Sequence, residues 1–153
     1  MTAPARSKAR AAARLAAVQA LYQHEMEETP EARLLDEFHQ HRLGGEIDPD
    51  IEGEQYIAAE TAFFDDVVKG VIARREEIDA LLANHLAAGW NLARLDKTLL
   101  QILRAGAYEL LARADVPTGA AIAEYIDVAH AFFDRRETQF VNGVLDAVGR
   151  AVR

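Results

Sequence analysis

The 153-residue chain has no cysteine, one tryptophan, four prolines and nine glycines. Without cysteine there is no disulfide framework, no thiolate-bound zinc and no thiol nucleophile. So few prolines and glycines leave long stretches in which a helix can run unbroken. No apolar run approaches about 18 residues, so no segment reads as a membrane span. The N-terminus is charged and alanine-rich with no long apolar stretch, which argues against a secretory signal and for a cytoplasmic protein. G-x-S-x-G, Walker, G-x-G-x-x-G and H-E-x-x-H motifs are all missing, so no catalytic, cofactor-binding or metal-binding residue is expected.

Half of the residues are hydrophobic and 27% are charged, a composition that folds. The length suits one domain, 1–153, with a substantial core. Gly89-Trp90-Asn91 reads as the joint between an N-terminal half of about 1–88 and a C-terminal half of about 89–153. The net charge of −8 excludes a protein that coats nucleic acid by bulk electrostatics. The charge is uneven, however. Residues 1–24 hold Arg6, Lys8, Arg10 and Arg14 and no acid, whereas residues 25–60 hold twelve acids against Arg33 and Arg42. A basic arm, 1–14, on an acidic body implies one local anion-binding surface.

Helical periodicity dominates, and no alternating strand pattern survives inspection, so the fold class is all-α with about seven helices. The first runs from about Ser7 to Glu28, before Pro30, with Ala11, Leu15, Val18, Tyr22 and Met26 as its expected core stripe. A second covers about Pro30–Arg42. A longer pattern spans about Gln55–Leu86, with a break permitted at Gly70 or the Arg74–Glu77 charge cluster. Helices follow over about Leu95–Arg113 and Gly119–Phe133, and from Asp134 onward. Asp134 and Glu137 have capping-box spacing. Gly44–Gly53 is expected to be a loop. Its acids from Asp48 invite a calcium reading, but loop position twelve is Ala59, so that reading is rejected. His39 and His41, two apart on a helix, point too far from each other to share a metal.

Three sets of residues stand out. Arg6, Arg10 and Arg14 recur every four residues, and the geometry places them beside the core stripe rather than in it. Guanidinium forks suit phosphates; an ordinary solvated face has the same pattern. Phe140, with Gln139, Arg135 and Arg136 before it, lies at the shoulder of the last helix's buried stripe of Val141, Val144, Leu145, Val148 and Val152. There it can stack an unpaired base or simply pack on a neighbour. Tyr22, mid-stripe, reads geometrically as a core tyrosine.

Four segments in order resemble the NusB transcription antitermination family. They are Ala17-Val18-Gln19-Ala20-Leu21-Tyr22, Ile102–Leu111 with its Leu103-Arg104 and Tyr108-Glu109-Leu110, Asp115-Val116-Pro117 before Ala121-Ile122-Ala123-Glu124, and Phe140-Val141-Asn142-Gly143-Val144-Leu145-Asp146. The resemblance implies two packed three-helix-bundle-like halves. It also implies pairing with NusE, a small-subunit ribosomal protein, and binding of boxA-type single-stranded RNA. That role lies within the RNA polymerase antitermination complex, especially on ribosomal RNA operons, without catalysis. Carried onto this chain, the RNA-facing residues are Arg6, Lys8, Arg10, Arg14, Tyr22, Arg135, Arg136, Gln139 and Phe140. The arm and the entrance to the last helix are expected to form a narrow cationic edge. The resemblance suggests a structural role for Asn142-Gly143, the glycine lying where helices approach closely. Departures are Leu99 at a usually acidic position linked to partner contact, Ala123 for asparagine, and two arginines before Phe140. The alternatives are a helical interaction or homodimerisation module that never touches RNA, and a part of an RNA-modifying enzyme.

Overall fold

Thr2 sets the start of the first helix. Its Oγ1 accepts a hydrogen bond from the Ala5 N–H at 3.2 Å, and Pro4 occupies the first turn, where its missing N–H has no helical partner to lose. Helix α1 (Ala3–Glu27) therefore begins before the expected Ser7. The computed structural model describes residues 1–44 and 53–153. The acidic loop, on which the calcium reading turned, lies outside the described residues except for its ends. The remaining helices are α2 (Glu31–His41), α3 (Gly53–Ala73), α4 (Arg75–Ala83), α5 (Lys97–Ala112), α6 (Thr118–His130) and α7 (Arg135–Val152), with a 3-10 turn at Leu92–Arg94. Among the described residues no strand is present. The long pattern after Gly53 is broken at Arg74, which pairs with Glu77 at the head of α4.

The chain divides into two compact units, Met1–Lys69 and Gly70–Arg153. In the first, the core face of α1 differs from the expected stripe. Ala5, Ala9, Ala13, Ala16, Ala17 and Ala20 are buried, with Val18 and Leu21, whereas Ala11 and Met26 are exposed. Small side chains let a neighbouring helix come close, so the alanine row, rather than the row of larger residues, faces inward. Tyr22 lies about 180° around the helix from Ala13 at about 100° per residue. It is 40% exposed, which overturns the core reading. From α2, Leu34, Leu35 and Phe38 are buried, and Phe38 stacks on Phe64 of α3 with centroids 5.5 Å apart. Glu60 is buried, and its Oε1 accepts from the Gly44 N–H at 2.6 Å. Burial pushes its carboxyl above the usual carboxylate range, against the lowering effect of the Gly44 and Tyr56 hydrogen bonds.

In the second unit, α5, α6 and α7 pack on one another, and α4 lies against α5 and α7. Asp96 caps α5, its Oδ1 accepting from Thr98 N at 2.8 Å and Leu99 N at 3.1 Å. Two charged residues of the motif on α5 are structural. Arg104 is buried and grips Asp79 of α4 with two bonds of 2.8 and 2.9 Å. Glu109 is fully buried and accepts from the Tyr125 hydroxyl of α6. At the other end, Arg153 donates to the carbonyls of Leu110 (3.0 Å), Arg113 (2.8 Å) and Val116 (2.7 Å), closing the C-terminal end of α5.

Two expectations are corrected. Asp134 stands at the N-cap of α7, but no side-chain cap bond forms, and Glu137 Oε2 is buried without a hydrogen-bond partner among the described residues. The capping box is therefore not made. Gly143 is exposed, and a Cβ built on it meets nothing within 4 Å, so among the described residues it marks no close approach. That role belongs to Gly106, whose Cβ would stand 2.8 Å from Leu145 Cδ1, and to Gly70, whose Cβ would overlap the Tyr108 ring.

Candidate nucleic-acid interface

The arm residues meet different fates. Arg6 and Lys8 are exposed on the first turns of α1, and Arg10 is half-buried. Arg14 is only 3% exposed. The guanidinium carbons of Arg10 and Arg14 each stand 4.8 Å from the Phe63 ring centroid. This overturns the flanking position for Arg14. Alanines at 9, 13, 16 and 17 bring the helix face close to its neighbours, and the arginine stem lies down on the aromatic ring. Arg6, Lys8 and the rim of Arg10 remain as the arm's outward cations.

The start of α7 holds the second candidate surface. Arg135, Arg136 and Gln139 are exposed and Phe140 is half-buried, which agrees with a shoulder position. Among the described residues neither arginine makes an ion pair. Phe140 has Trp90 as a ring neighbour, with centroids 6.2 Å apart and planes tilted by 43°. Arg136, Gln139, Phe140 and Gly143 share one face at helical spacing. The surface thus offers two uncommitted guanidiniums, an amide and an aromatic edge, a set suited to phosphates and unpaired bases. Tyr22 is exposed on the outer face of α1, available to a partner of any kind.

Trp90, expected only at a joint between halves, lies on the same surface as Phe140. The signal was there. A lone tryptophan in the polar run Gly89-Trp90-Asn91 has no helical stripe to join, so it must fill a local pocket or face water. Among the described residues no group of three or more side chains could hold a metal ion, and no helix is long and apolar enough to cross a membrane.

The model of the NusB family matches residues 11–150. Arg14, Tyr22 and the whole α7 surface fall inside that match, while Arg6, Lys8 and Arg10 precede it. The chain is 70% identical over 146 residues to the transcription antitermination protein NusB of Novosphingobium aromaticivorans, covering 95% of this chain and 96% of that one. It is 61% identical over 148 residues to the protein of the same name from Sphingopyxis alaskensis, covering 97% of each. Among solved structures it resembles one from a crystal structure of antitermination factors NusB and NusE in complex with dsRNA. That match has a TM-score of 0.77 and 24% identity, and covers 94% of this chain and 98% of the other. At that identity the likeness is one of fold.

Proposed function

The chain belongs to the NusB family, and from that premise we propose that it is an RNA-binding transcription antitermination factor. It pairs with NusE, binds boxA-type nascent RNA as part of the RNA polymerase antitermination complex, and works in the cytoplasm without catalysing a reaction. The observation that carries this reading is the start of α7, where exposed Arg136 and Gln139 share a face with Phe140, with Arg135 exposed one residue earlier, in a chain of net charge −8. Cations there and in the arm supply salt-dependent affinity, and the aromatic and amide read bases.

The overall negative charge sets a condition on this mechanism. Long-range repulsion opposes RNA approaching a small cationic surface, and a basic partner subunit offsets it. Labelled boxA-type single-stranded RNA is therefore expected to bind weakly to the chain alone and more tightly to its heterodimer with NusE. Equal affinities by anisotropy titration would contradict the proposal.

One observation favours the rival, a protein-interaction module without RNA contact. Tyr22 and Met26, one turn apart on α1, are 40% and 52% exposed, an apolar pair a partner helix can cover. The rival is distinguished by the arm, because its binding survives loss of the arm's charges.

A further inference from the structure

We infer that the groove between the 3-10 turn and the first turns of α7 seats one unpaired RNA base, with Trp90 as its second stacking surface beside Phe140. This rests on the RNA-binding reading and assigns residues within it. The open groove has a volume of about 360 Å³ and is lined by buried Leu95 and Leu99, by the rings of Trp90, Phe133 and Phe140, and by exposed Arg94 and Arg136. That is at the lower end of the roughly 300–1,000 Å³ typical of small-ligand sites. Trp90, the only tryptophan in the chain, is 51% exposed there. The two rings meet at a tilt rather than face to face, so a face of the indole is left for a planar guest.

Charge decides what enters. Asp96 and Glu137 also border the groove and offset the two arginines. A phosphate drawn inside would face two carboxylates, whereas a neutral base would not. Asp96 already accepts two backbone N–H bonds, but Glu137 Oε2 lacks any donor among the described residues. The N–H groups of a base edge are the donors that Glu137 can take by turning its side chain. The adjoining phosphates then lie outside, against exposed Arg94 and Arg136. Arg94 is held only by a 3.5 Å bond to the Gly89 carbonyl and is able to swing towards them. A duplex offers no unpaired base for such a seat.

Because Trp90 is the sole tryptophan, its fluorescence reports the groove without any substitution. The full chain, alone and with NusE whose own tryptophans are replaced by phenylalanine, is titrated with a twelve-nucleotide single-stranded RNA and with the same sequence as a duplex. Binding is followed in parallel by anisotropy of labelled RNA. Single-stranded RNA is expected to quench Trp90 at the concentrations where anisotropy saturates, and the duplex to leave it unchanged. Trp90→Leu should weaken single-strand binding about tenfold, and Arg94→Gln should lower the salt slope by about 0.7. If the RNA binds while Trp90 emission and the affinity of Trp90→Leu stay unchanged, the groove assignment is wrong and the RNA-binding reading stands. If NusE alone quenches Trp90 and RNA adds nothing, the groove holds a protein side chain and the inference falls. If neither chain nor heterodimer binds RNA, both fall together.

Discussion

Gly70→Ala is expected to lower the melting temperature by about 4–8 °C, the overlap being severe enough for the upper end of the overpacking cost, although alanine is the better helix former. The new Cβ would overlap Tyr108 at Cζ and Cε1, and that ring is buried among its neighbours in the second unit. Overpacking of this kind costs about 1–3 kcal/mol or more, against a gain of about 1 kcal/mol from helix propensity. The same change at Gly143 should have the opposite sign. That glycine is exposed, its Cβ meets nothing, and alanine there should raise the melting temperature by about 2–4 °C. A Tyr108→Leu background should reduce the cost of Gly70→Ala, since the two residues are in contact. Thermal melts of the four variants decide it. If Gly70→Ala melts like the parent, the described approach of Gly70 to the Tyr108 ring is wrong.

Replacing Arg6, Lys8 and Arg10 together by glutamine is expected to reduce the salt slope of RNA binding by about 2. At 0.1 M salt this is a loss of about 100-fold in affinity, taking about 0.7 per phosphate neutralised on a single strand. Arg6 and Lys8 are exposed and Arg10 is half-buried, and residues 1–24 contain no acid. Arg14→Gln should behave differently. Its guanidinium lies on Phe63 inside the first unit, so its loss should cost about 1 kcal/mol of stability. The salt slope should stay where it was. If the triple replacement leaves affinity and slope unchanged, the arm does not touch RNA and the interaction-module rival gains.

The helices were legible because their ends are written in local chemistry. Pro30, Asp96, Pro117 and the Arg74–Glu77 cluster each stand at or beside an observed boundary. The family motifs were legible for a related reason. Most of their residues hold the second unit together: Arg104 on Asp79, Glu109 under Tyr125, and Val141, Val144 and Leu145 in the core. What could not be read was which apolar row of α1 faces inward. Leu15, Tyr22 and Met26 have the larger side chains, but burial followed the alanines, because closeness of approach is set by the neighbouring helix and not by α1 alone. The same fact put Arg14 on the inside and Tyr22 on the outside. The Arg104–Asp79 pair joins residues 25 apart in sequence, and nothing local announces it. The Trp90–Phe140 contact spans a still longer separation, which is why Phe140 was legible as a shoulder residue but its ring neighbour was not. Gly143 stands as the opposite case: a motif residue to which its neighbours among the described residues give no packing reason.

The central claim is that this acidic helical chain holds RNA through its arm and through the start of α7. Ultraviolet crosslinking of the chain–NusE heterodimer to boxA-containing RNA, followed by peptide mapping, tests it most directly. The account predicts adducts in residues 1–14 and at Trp90 or Phe140. Efficient crosslinking confined to NusE, or to helix surfaces away from both regions, would contradict it.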